Sequence, residues 1–376
     1  MFDRTLDVLG RQYFDTAFRR TMLKPLSEAF RPAALAAASA AEERNAIWEL
    51  LTRVPGSHLT LLSRRSYEAL MSDIRGDARV MMGMQLVQLD GRYFATSVLD
   101  SGPAAMAGVQ AWDEVGLLDD VSPASSSHVD PRSDDASLPD PPMFTMNAPF
   151  GDTVQLRLVR VPGETLTVGV APRLYSTLQA TQASVRLMSR NGIRVGYIHW
   201  WFMNSRGVPE GFQAALNDRL ASSEALLLDL RGRGGSESAV KGLLTLLSPG
   251  PEQRFRGPIV ALIDQHTRSA KEELAYELRE RGLAVLVGEP TAGAFRSTGF
   301  ATVGNDVILM FPQQSRALAS YTERIEGHPI EPHVPVMSAG PYACGADPLI
   351  DAGLAEALRL VAERGSGQTL PGKTIK

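Results

Sequence analysis

The sequence predicts an α/β fold that carries an all-β module and begins with a helical region. From about Leu174 onward, short apolar runs alternate with amphipathic stretches, which favours a mostly parallel sheet covered by helices on both faces. Between residues 77 and 172, short strand-like runs separated by glycine-containing turns predict a β module with one small helix. Residues 1–76 space their apolar side chains as helices do, so three parts are expected.

Composition limits the classes of function. The 376 residues are 44% hydrophobic and 21% charged, which is ordinary for a globular protein of two or three domains. A net charge of −4 gives no general attraction to nucleic acid or to an anionic membrane. Cys344 is the single cysteine, which excludes an intrachain disulfide. No run of 18 apolar residues predicts a membrane span.

The first residues contain acidic side chains and no apolar signal region. We therefore expect a cytoplasmic protein, with a periplasmic or exported protein whose signal has been removed as the alternative.

A break in the helical region creates the first candidate site. Pro55 and Gly56 end the helical pattern and leave Ser57 and His58 in the turn that follows. From this local context alone, a turn histidine is more often a surface residue than a catalytic one.

The β module resembles a PDZ domain. The resemblance is carried by the loop Met81–Met84 (MMGM), by the segment Ser101–Gly108 (SGPAAMAG) and by Trp112-Asp113-Glu114. It implies that an extended C-terminal peptide is added to a sheet edge, with its carboxylate held by the loop of Met82, Gly83 and Met84.

Residues 121–149 interrupt this pattern. They are rich in Ser, Pro and Asp and stand where a short connection is expected. We interpret them as a mobile insertion that covers or lengthens the peptide groove, with an inert solvated loop as the alternative.

Two strand-to-turn junctions in the α/β part carry candidate chemistry. The buried strand Leu226–Leu230 runs into a glycine-rich turn, and the strand Ile259–Ile263 leads to Ser269 at the start of a helix. Unpaired amides of a first helical turn can stabilise an oxyanion beside such a serine. The alternative is that Ser269 only caps the helix.

The chain as a whole resembles the C-terminal-processing (tail-specific) serine proteases, peptidase family S41. The markers are PGSHLTLL, LLLDLRGRGG, TRSAKEELAYEL, GEPTAG and EGHPIEPHV, in this order. The resemblance implies a ClpP/crotonase-like protease core at 173–376, with the PDZ-like module 77–172 inserted after the helical region 1–76. It also implies Ser269 as nucleophile, and an oxyanion hole made by Gly234 or Gly235 with the amide of Ala270.

The candidate general base follows from one position at which this sequence differs from a branch of the family. One branch of the family uses a lysine after the GEPTAG-like turn, and this chain has Ala294 there. The tricorn-like branch implies His58 as base, supported by Ser57 and Glu326. The alternatives to Glu326 are Glu323 and Glu331.

Several residues are given no role in the chemistry. Lys271 lies two positions after Ser269, which on a helix points away from it, so a solvated lysine is expected. His266 is interpreted as an ordinary turn residue. Prolines interrupt the cluster of Glu and His at 326–333, so we expect neither a metal nor another cofactor.

These patterns predict a serine endopeptidase that hydrolyses peptide bonds in protein or peptide substrates through an acyl-enzyme. The PDZ-like module would recognise substrate C-termini. Formation of a homo-oligomer is possible. Two alternatives remain: a crotonase-like acyl-CoA enzyme, and a catalytically dead peptide-binding scaffold, which the alanine at position 294 favours.

Overall fold

The computed structural model describes residues 1–131 and 143–365 of the chain. The N-terminal region is helical, as predicted, and contains one short strand. Its elements are α1 (Phe2–Gln12), α2 (Thr16–Thr21), α3 (Leu23–Ala36), α4 (Ala40–Leu51), β1 (Thr60–Ser63) and α5 (Arg64–Arg75). Side chains of Asp15, Ser39 and Ser63 cap α2, α4 and α5 by accepting bonds from first-turn amides, so the local sequence sets where these helices begin.

The β module consists of short antiparallel strands. Its elements are β2 (Arg79–Met81), β3 (Gln85–Leu89), β4 (Arg92–Thr96), α6 (Pro103–Met106), β5 (Glu114–Leu118), β6 (Val129–Pro131), β7 (Met143–Met146), β8 (Val154–Val161), β9 (Glu164–Val170) and β10 (Arg173–Tyr175). Seven of these strands form one sheet in the order β6-β7-β3-β4-β5-β8-β9. The strands β2 and β10 pair with each other where the chain enters and leaves the module.

Two segments of the stretch 121–149 differ from the expected mobile or solvated loop. Its strands β6 and β7 join the sheet, and β7 pairs with β3. The reason is apolar burial, because Met143 and Met146 of β7 are both buried. The part of that expectation that concerns residues 132–142 lies outside the described residues.

The remaining chain forms the predicted α/β part. Its elements are α7 (Thr177–Ser184), β11 (Arg186–Arg190), β12 (Ile193–His199), α8 (Val208–Asn217), β13 (Ala225–Asp229), α9 (Glu237–Leu247), β14 (Ile259–Ile263), α10 (Ala270–Glu280), β15 (Val285–Gly288), β16 (Ser297–Thr302), β17 (Val307–Gln313), α11 (Ala319–Ile325), β18 (Val334–Pro335) and α12 (Pro348–Gly365). None of the helices in the described ranges is both long and apolar enough to cross a bilayer.

A six-stranded sheet in the order β11-β12-β13-β14-β15-β18 is the centre of this part. All its pairings from β12 to β18 are parallel, and β11 adds an antiparallel edge. Helices α8, α9 and α10 cover one face, and α12 covers the other. Burial on both faces explains why every residue of β13 and β14 is buried, as the continuous apolar runs predict.

The register of the sheet brings the two candidate junctions together. Asp229 at the end of β13 lies opposite Leu262 of β14, so the loops that follow both strands leave the same edge. Carboxyl ends of neighbouring parallel strands are where such folds place their ligands. The glycine-rich turn and the turn before Ser269 are therefore neighbours.

The helical region shares its core with late residues of the chain. Strand β1 pairs antiparallel with β17, which in turn pairs with β16. Side chains of α1 and α4, such as Leu9 and Ile47, pack in one cluster with Leu309 and Phe311 of β17. This packing fixes the Ser57–His58 turn, which directly precedes β1, against the α/β part.

Candidate active site

Ser269 has an unusual backbone conformation. Its φ of 59° and ψ of −132° lie in a left-handed region that non-glycine residues rarely adopt, and its side chain makes no capping bond to α10. The interpretation of Ser269 as a simple helix cap is therefore wrong. Backbone strain of this kind is maintained only where the surroundings enforce it, and it clusters at functional sites.

The glycine-rich turn packs against the residue that follows Ser269. Gly234 has a φ of +84°, and a Cβ atom there would lie 2.1 Å from the ring of Phe202. A Cβ atom on Gly235 would lie 3.0 Å from Cβ of Ala270 and 2.7 Å from Cβ of Met203. Only glycine allows this approach, which brings the backbone of Gly235 next to Ala270.

Ser57, His58 and Glu326 form a connected group, although Glu326 is 269 positions from Ser57. The Ser57 Oγ lies 2.9 Å from Nδ1 of His58 and 2.8 Å from Oε2 of Glu326, and the Ser57 amide donates to Oε1 at 2.8 Å. A carboxylate only accepts, so the single hydroxyl proton of Ser57 points to Glu326. Ser57 Oγ then accepts from the Nδ1–H of His58, which makes Nε2 the unprotonated nitrogen of the ring.

Glu326 is held in place by two further donors. The Phe295 amide donates to Oε2 at 2.7 Å, and Nε of Arg296 donates to Oε1 at 3.2 Å. The guanidinium of Arg296 stacks on the Phe14 ring, 3.6 Å from its centre. The two alternatives to Glu326, Glu323 and Glu331, are exposed.

One peptide group connects Ser269 with Glu326. The amide of Ser269 donates to the carbonyl of Ala294 at 3.0 Å. The N–H of Phe295, on the other side of the same peptide bond, donates to Glu326. Ala294 is fully buried and makes this contact through its backbone alone. The contact therefore does not require the lysine side chain that the other branch has at this position.

A buried carboxylate that the sequence patterns did not single out supports the loop that contains this peptide group. Glu272, in the first turn of α10, accepts from Oγ1 of Thr291 at 2.6 Å and from the amides of Gly293 at 2.6 Å and Ala294 at 2.8 Å. Burial raises the pKa of Glu272 to about 7. A glutamate three positions after a helix-start serine has the spacing of a capping box, which is the signal that could have identified it.

Lys271 contradicts the expectation of a solvated lysine. Its side chain is 0% exposed, and Nζ donates to the carbonyl of Arg231 at 2.7 Å. Burial lowers the pKa of Lys271 to about 8. Helical spacing predicts the direction of a side chain but not what packs there, and Nζ of Lys271 lies against the glycine-rich turn rather than in water.

An ion cluster lies under the same turn. Arg231 binds Asp229 through Nε at 2.9 Å and Nη2 at 2.6 Å, and it binds Asp347 through both terminal nitrogens at 3.0 and 2.8 Å. Burial alone would raise the pKa of Asp229, but the charge of Arg231 outweighs it and holds that pKa below its usual range. The cluster fixes the start of the turn, and no local sequence pattern predicts that Asp347 is part of it.

The loop Met82–Met84 is well ordered by its own module. Gly83 has a φ of +75°, and a Cβ atom there would lie 2.8 Å from Cδ of Pro103. The carbonyls of Met82 and Gly83 accept from the amides of Ala104 and Leu99. Any side chain at position 83 would therefore strain the module itself and not only obstruct a ligand.

The sheet edge beside this loop is occupied by β7. Its residues Met143, Phe144 and Thr145 pair with Val87, Leu86 and Gln85 of β3. The next residue, Met146, is buried in one cluster with Met82 and Met84. A peptide could add to β3 here only by replacing β7.

One histidine of the Glu and His cluster at 326–333 has a structural contact. Nδ1 of His333 accepts from the Leu286 amide at 2.9 Å. Within the two described ranges, no three His, Cys, Asp or Glu side chains are grouped as metal ligands.

Comparison with known proteins connects this geometry to peptidases. Residues 237–336 match the family described as Peptidase family S41. The chain is similar to "Putative tricorn protease homolog 2" of Streptomyces coelicolor, with 25% identity over 89% of this chain and 30% of that protein. It is also similar to a carboxyl-terminal-processing protease of Picosynechococcus sp., with 24% identity over 67% of this chain and 63% of that protein. The chain thus spans only part of the length of these relatives.

Among solved structures, the photosystem II D1 C-terminal processing protease is similar, with a TM-score of 0.52 and 17% identity over 89% of this chain and 92% of that one. This similarity shows a mixed α/β fold shared with that protease. The matched segment and the two named relatives thus make this chain similar in sequence to S41 and tricorn-type proteases. The matched region contains Ser269, Ala294 and Glu326, whereas Ser57 and His58 lie outside it.

The role of Glu272 can be tested by stability. Glu272→Ala leaves three buried donors without their acceptor, so the free energy of unfolding should fall by about 2–4 kcal/mol. Urea unfolding at pH 8, above the raised pKa of this carboxyl, measures the change. Glu280→Ala, at an exposed position of the same helix, is the control and should change stability by less than about 0.5 kcal/mol. Equal small effects of both variants would contradict the supporting role.

Proposed function

We propose that this protein is a serine endopeptidase in which Ser269 is the nucleophile and His58 the general base. The carrying observation is the hydrogen-bond order from Glu326 through Ser57 to Nδ1 of His58. That order leaves Nε2 as the basic nitrogen, which is the state a general base requires.

The proposed reaction proceeds through an acyl-enzyme. Nε2 of His58 takes the proton of Ser269 Oγ while Oγ attacks the carbonyl carbon of the scissile peptide bond. The imidazolium then returns its proton to the leaving nitrogen as the C–N bond breaks. A water molecule, deprotonated by the same nitrogen, hydrolyses the ester and restores the Ser269 hydroxyl.

Two groups would stabilise the charges that develop. The amides of Ala270 and of Gly234 or Gly235 would donate to the oxyanion, since these backbones pack together. The carboxylate of Glu326 would stabilise the imidazolium through Ser57. Four donors, from Phe295, Arg296 and both polar groups of Ser57, hold the Glu326 carboxylate in position for this role.

The β module would supply substrate recognition. The loop Met82–Met84 followed by a strand edge is the arrangement that captures a free C-terminus. Strand β7 now pairs with that edge, and Met146 fills the apolar space beside Met82 and Met84. We propose that a substrate C-terminus binds in competition with β7 and takes over its pairing with β3.

Catalytic roles can be tested with a casein-type or unstructured peptide substrate. Ser269→Ala and His58→Ala should each lower turnover by about 10⁴-fold or more. The first removes the nucleophile, and the second removes the group that accepts its proton. Glu326→Gln should cause a smaller loss, because the neutral amide stabilises the imidazolium less. Ser222→Ala, at an exposed serine, is the control and should keep wild-type turnover.

A serine-directed fluorophosphonate separates this proposal from its alternatives. The wild-type protein should be labelled at Ser269, and His58→Ala should be labelled far more slowly. A dead scaffold would not react, and a crotonase-like enzyme would instead bind a CoA thioester. Turnover by Ser269→Ala within tenfold of wild type would refute the nucleophile.

Peptide recognition can be tested by hydrogen exchange. A peptide with a free apolar C-terminus should speed exchange at residues 143–146 while Gln85–Leu89 remain protected, because the peptide replaces β7 on β3. The same peptide with an amidated C-terminus is the control and should have little effect. Binding of both peptides without faster exchange in β7 would mean that this edge is not the binding site.

A further inference from the structure

A second peptide group near Ser269 is hydrogen-bonded through both its carbonyl and its N–H. The carbonyl of Arg231 accepts from Nζ of Lys271 at 2.7 Å. The N–H of Gly232, on the same peptide bond, donates to Oδ1 of Asp264 at 3.1 Å. Asp264 follows β14 and Lys271 belongs to the first turn of α10, so both partners come from the segment that contains Ser269.

The environment of Lys271 suits an ammonium group that holds backbone carbonyls in place rather than a reactive amine. The side chain has no exposed surface, and its second contact is the carbonyl of Trp201 at 3.4 Å. An ammonium only donates, so both contacts use it to hold backbone oxygens. A buried charge is costly, and Asp264 and Asp229 offset that cost here.

The contact between Lys271 and the Arg231 carbonyl matters because the proposed oxyanion donors come from two separate elements. The amide of Ala270 belongs to α10, whereas those of Gly234 and Gly235 belong to the turn after β13. Donors must lie within a few tenths of an ångström of their best positions to stabilise an oxyanion. Lys271 is the residue next to Ala270, and it binds the beginning of that turn directly.

We infer that Lys271 is a positioning residue, which holds the glycine-rich turn in register with the start of α10 for oxyanion stabilisation. This inference rests on the proposed function and concerns the same site. Lys271 acts through the Arg231 carbonyl and does not touch the substrate. A lysine that merely stabilised the fold would alter the folded fraction and leave the chemistry of the folded molecules unchanged.

The test compares Lys271→Met and Lys271→Gln with the wild-type protein. Methionine cannot donate, and the glutamine amide is one bond too short to reach the Arg231 carbonyl. For both variants, kcat per folded molecule should fall about 10- to 100-fold while KM stays within twofold. Lys241→Met, at an exposed lysine of α9, is the matched control and should keep the wild-type kcat.

A peptide boronate supplies the readout that a purely structural role would not change. Its tetrahedral adduct with Ser269 places an oxygen where the oxyanion forms, so its affinity should fall in parallel with kcat. Affinity for a non-covalent product peptide should stay unchanged. Thermal unfolding gives the folded fraction of each variant, and Lys271→Gln decides the question if Lys271→Met does not fold.

Wild-type kcat and wild-type boronate affinity in either folded variant would overturn the inference. So would losses that disappear when rates are corrected for the folded fraction. Ser269→Ala is measured beside these variants. Turnover that does not depend on Ser269 would refute the proposed function itself, whereas Ser269-dependent turnover that is unaffected at position 271 would refute only the role of Lys271.

Discussion

The arrangement of the candidate site depends on the peptide group between Ala294 and Phe295. Its carbonyl accepts from the Ser269 amide, and its N–H donates to Glu326. A peptide unit is planar and rigid, so the two bonds fix the separation of the serine from the group of Ser57, His58 and Glu326. The buried carboxylate of Glu272 holds the same loop in place. A lysine side chain at position 294 is unnecessary for this role, since only its backbone is used.

The first turn of α10 organises both loops that flank Ser269. Lys271 binds the carbonyl of Arg231 in the glycine-rich turn, and Glu272 binds the loop 291–294. These neighbours are one acidic and one basic residue, and both are fully buried. Such charges are rarely retained for stability alone, because an apolar replacement of similar volume often costs nothing. Here each of them holds a backbone segment that lies outside the named helices and strands.

The sequence allowed prediction of what is determined locally. Strand β14 has the predicted bounds Ile259–Ile263, and the helix after Ser269 begins where expected, because continuous apolar runs and turn residues mark these features. The burial of Lys271 could not be predicted, since helical spacing gives a direction but not what lies there. The pairing of β7 was missed because four residues in a stretch rich in Ser, Pro and Asp carry too weak a pattern. The contact of Ser57 with Glu326 came from family resemblance, as no local pattern spans 269 positions.

The β module and the glycine-rich turn are physically connected through β7. Nη2 of Arg233, the residue before Gly234, lies 3.5 Å from the sulfur of Met143. Met143 in turn packs with Val87 of β3 and Phe94 of β4. Any ligand that replaces β7 on β3 must therefore also change the surroundings of Arg233. Any coupling free energy that this contact carries would act equally in both directions, from the β7 pairing to the turn and from the turn to the β7 pairing. If a substrate C-terminus replaces β7 as proposed, its binding would reach the glycine-rich turn through this contact between Met143 and Arg233.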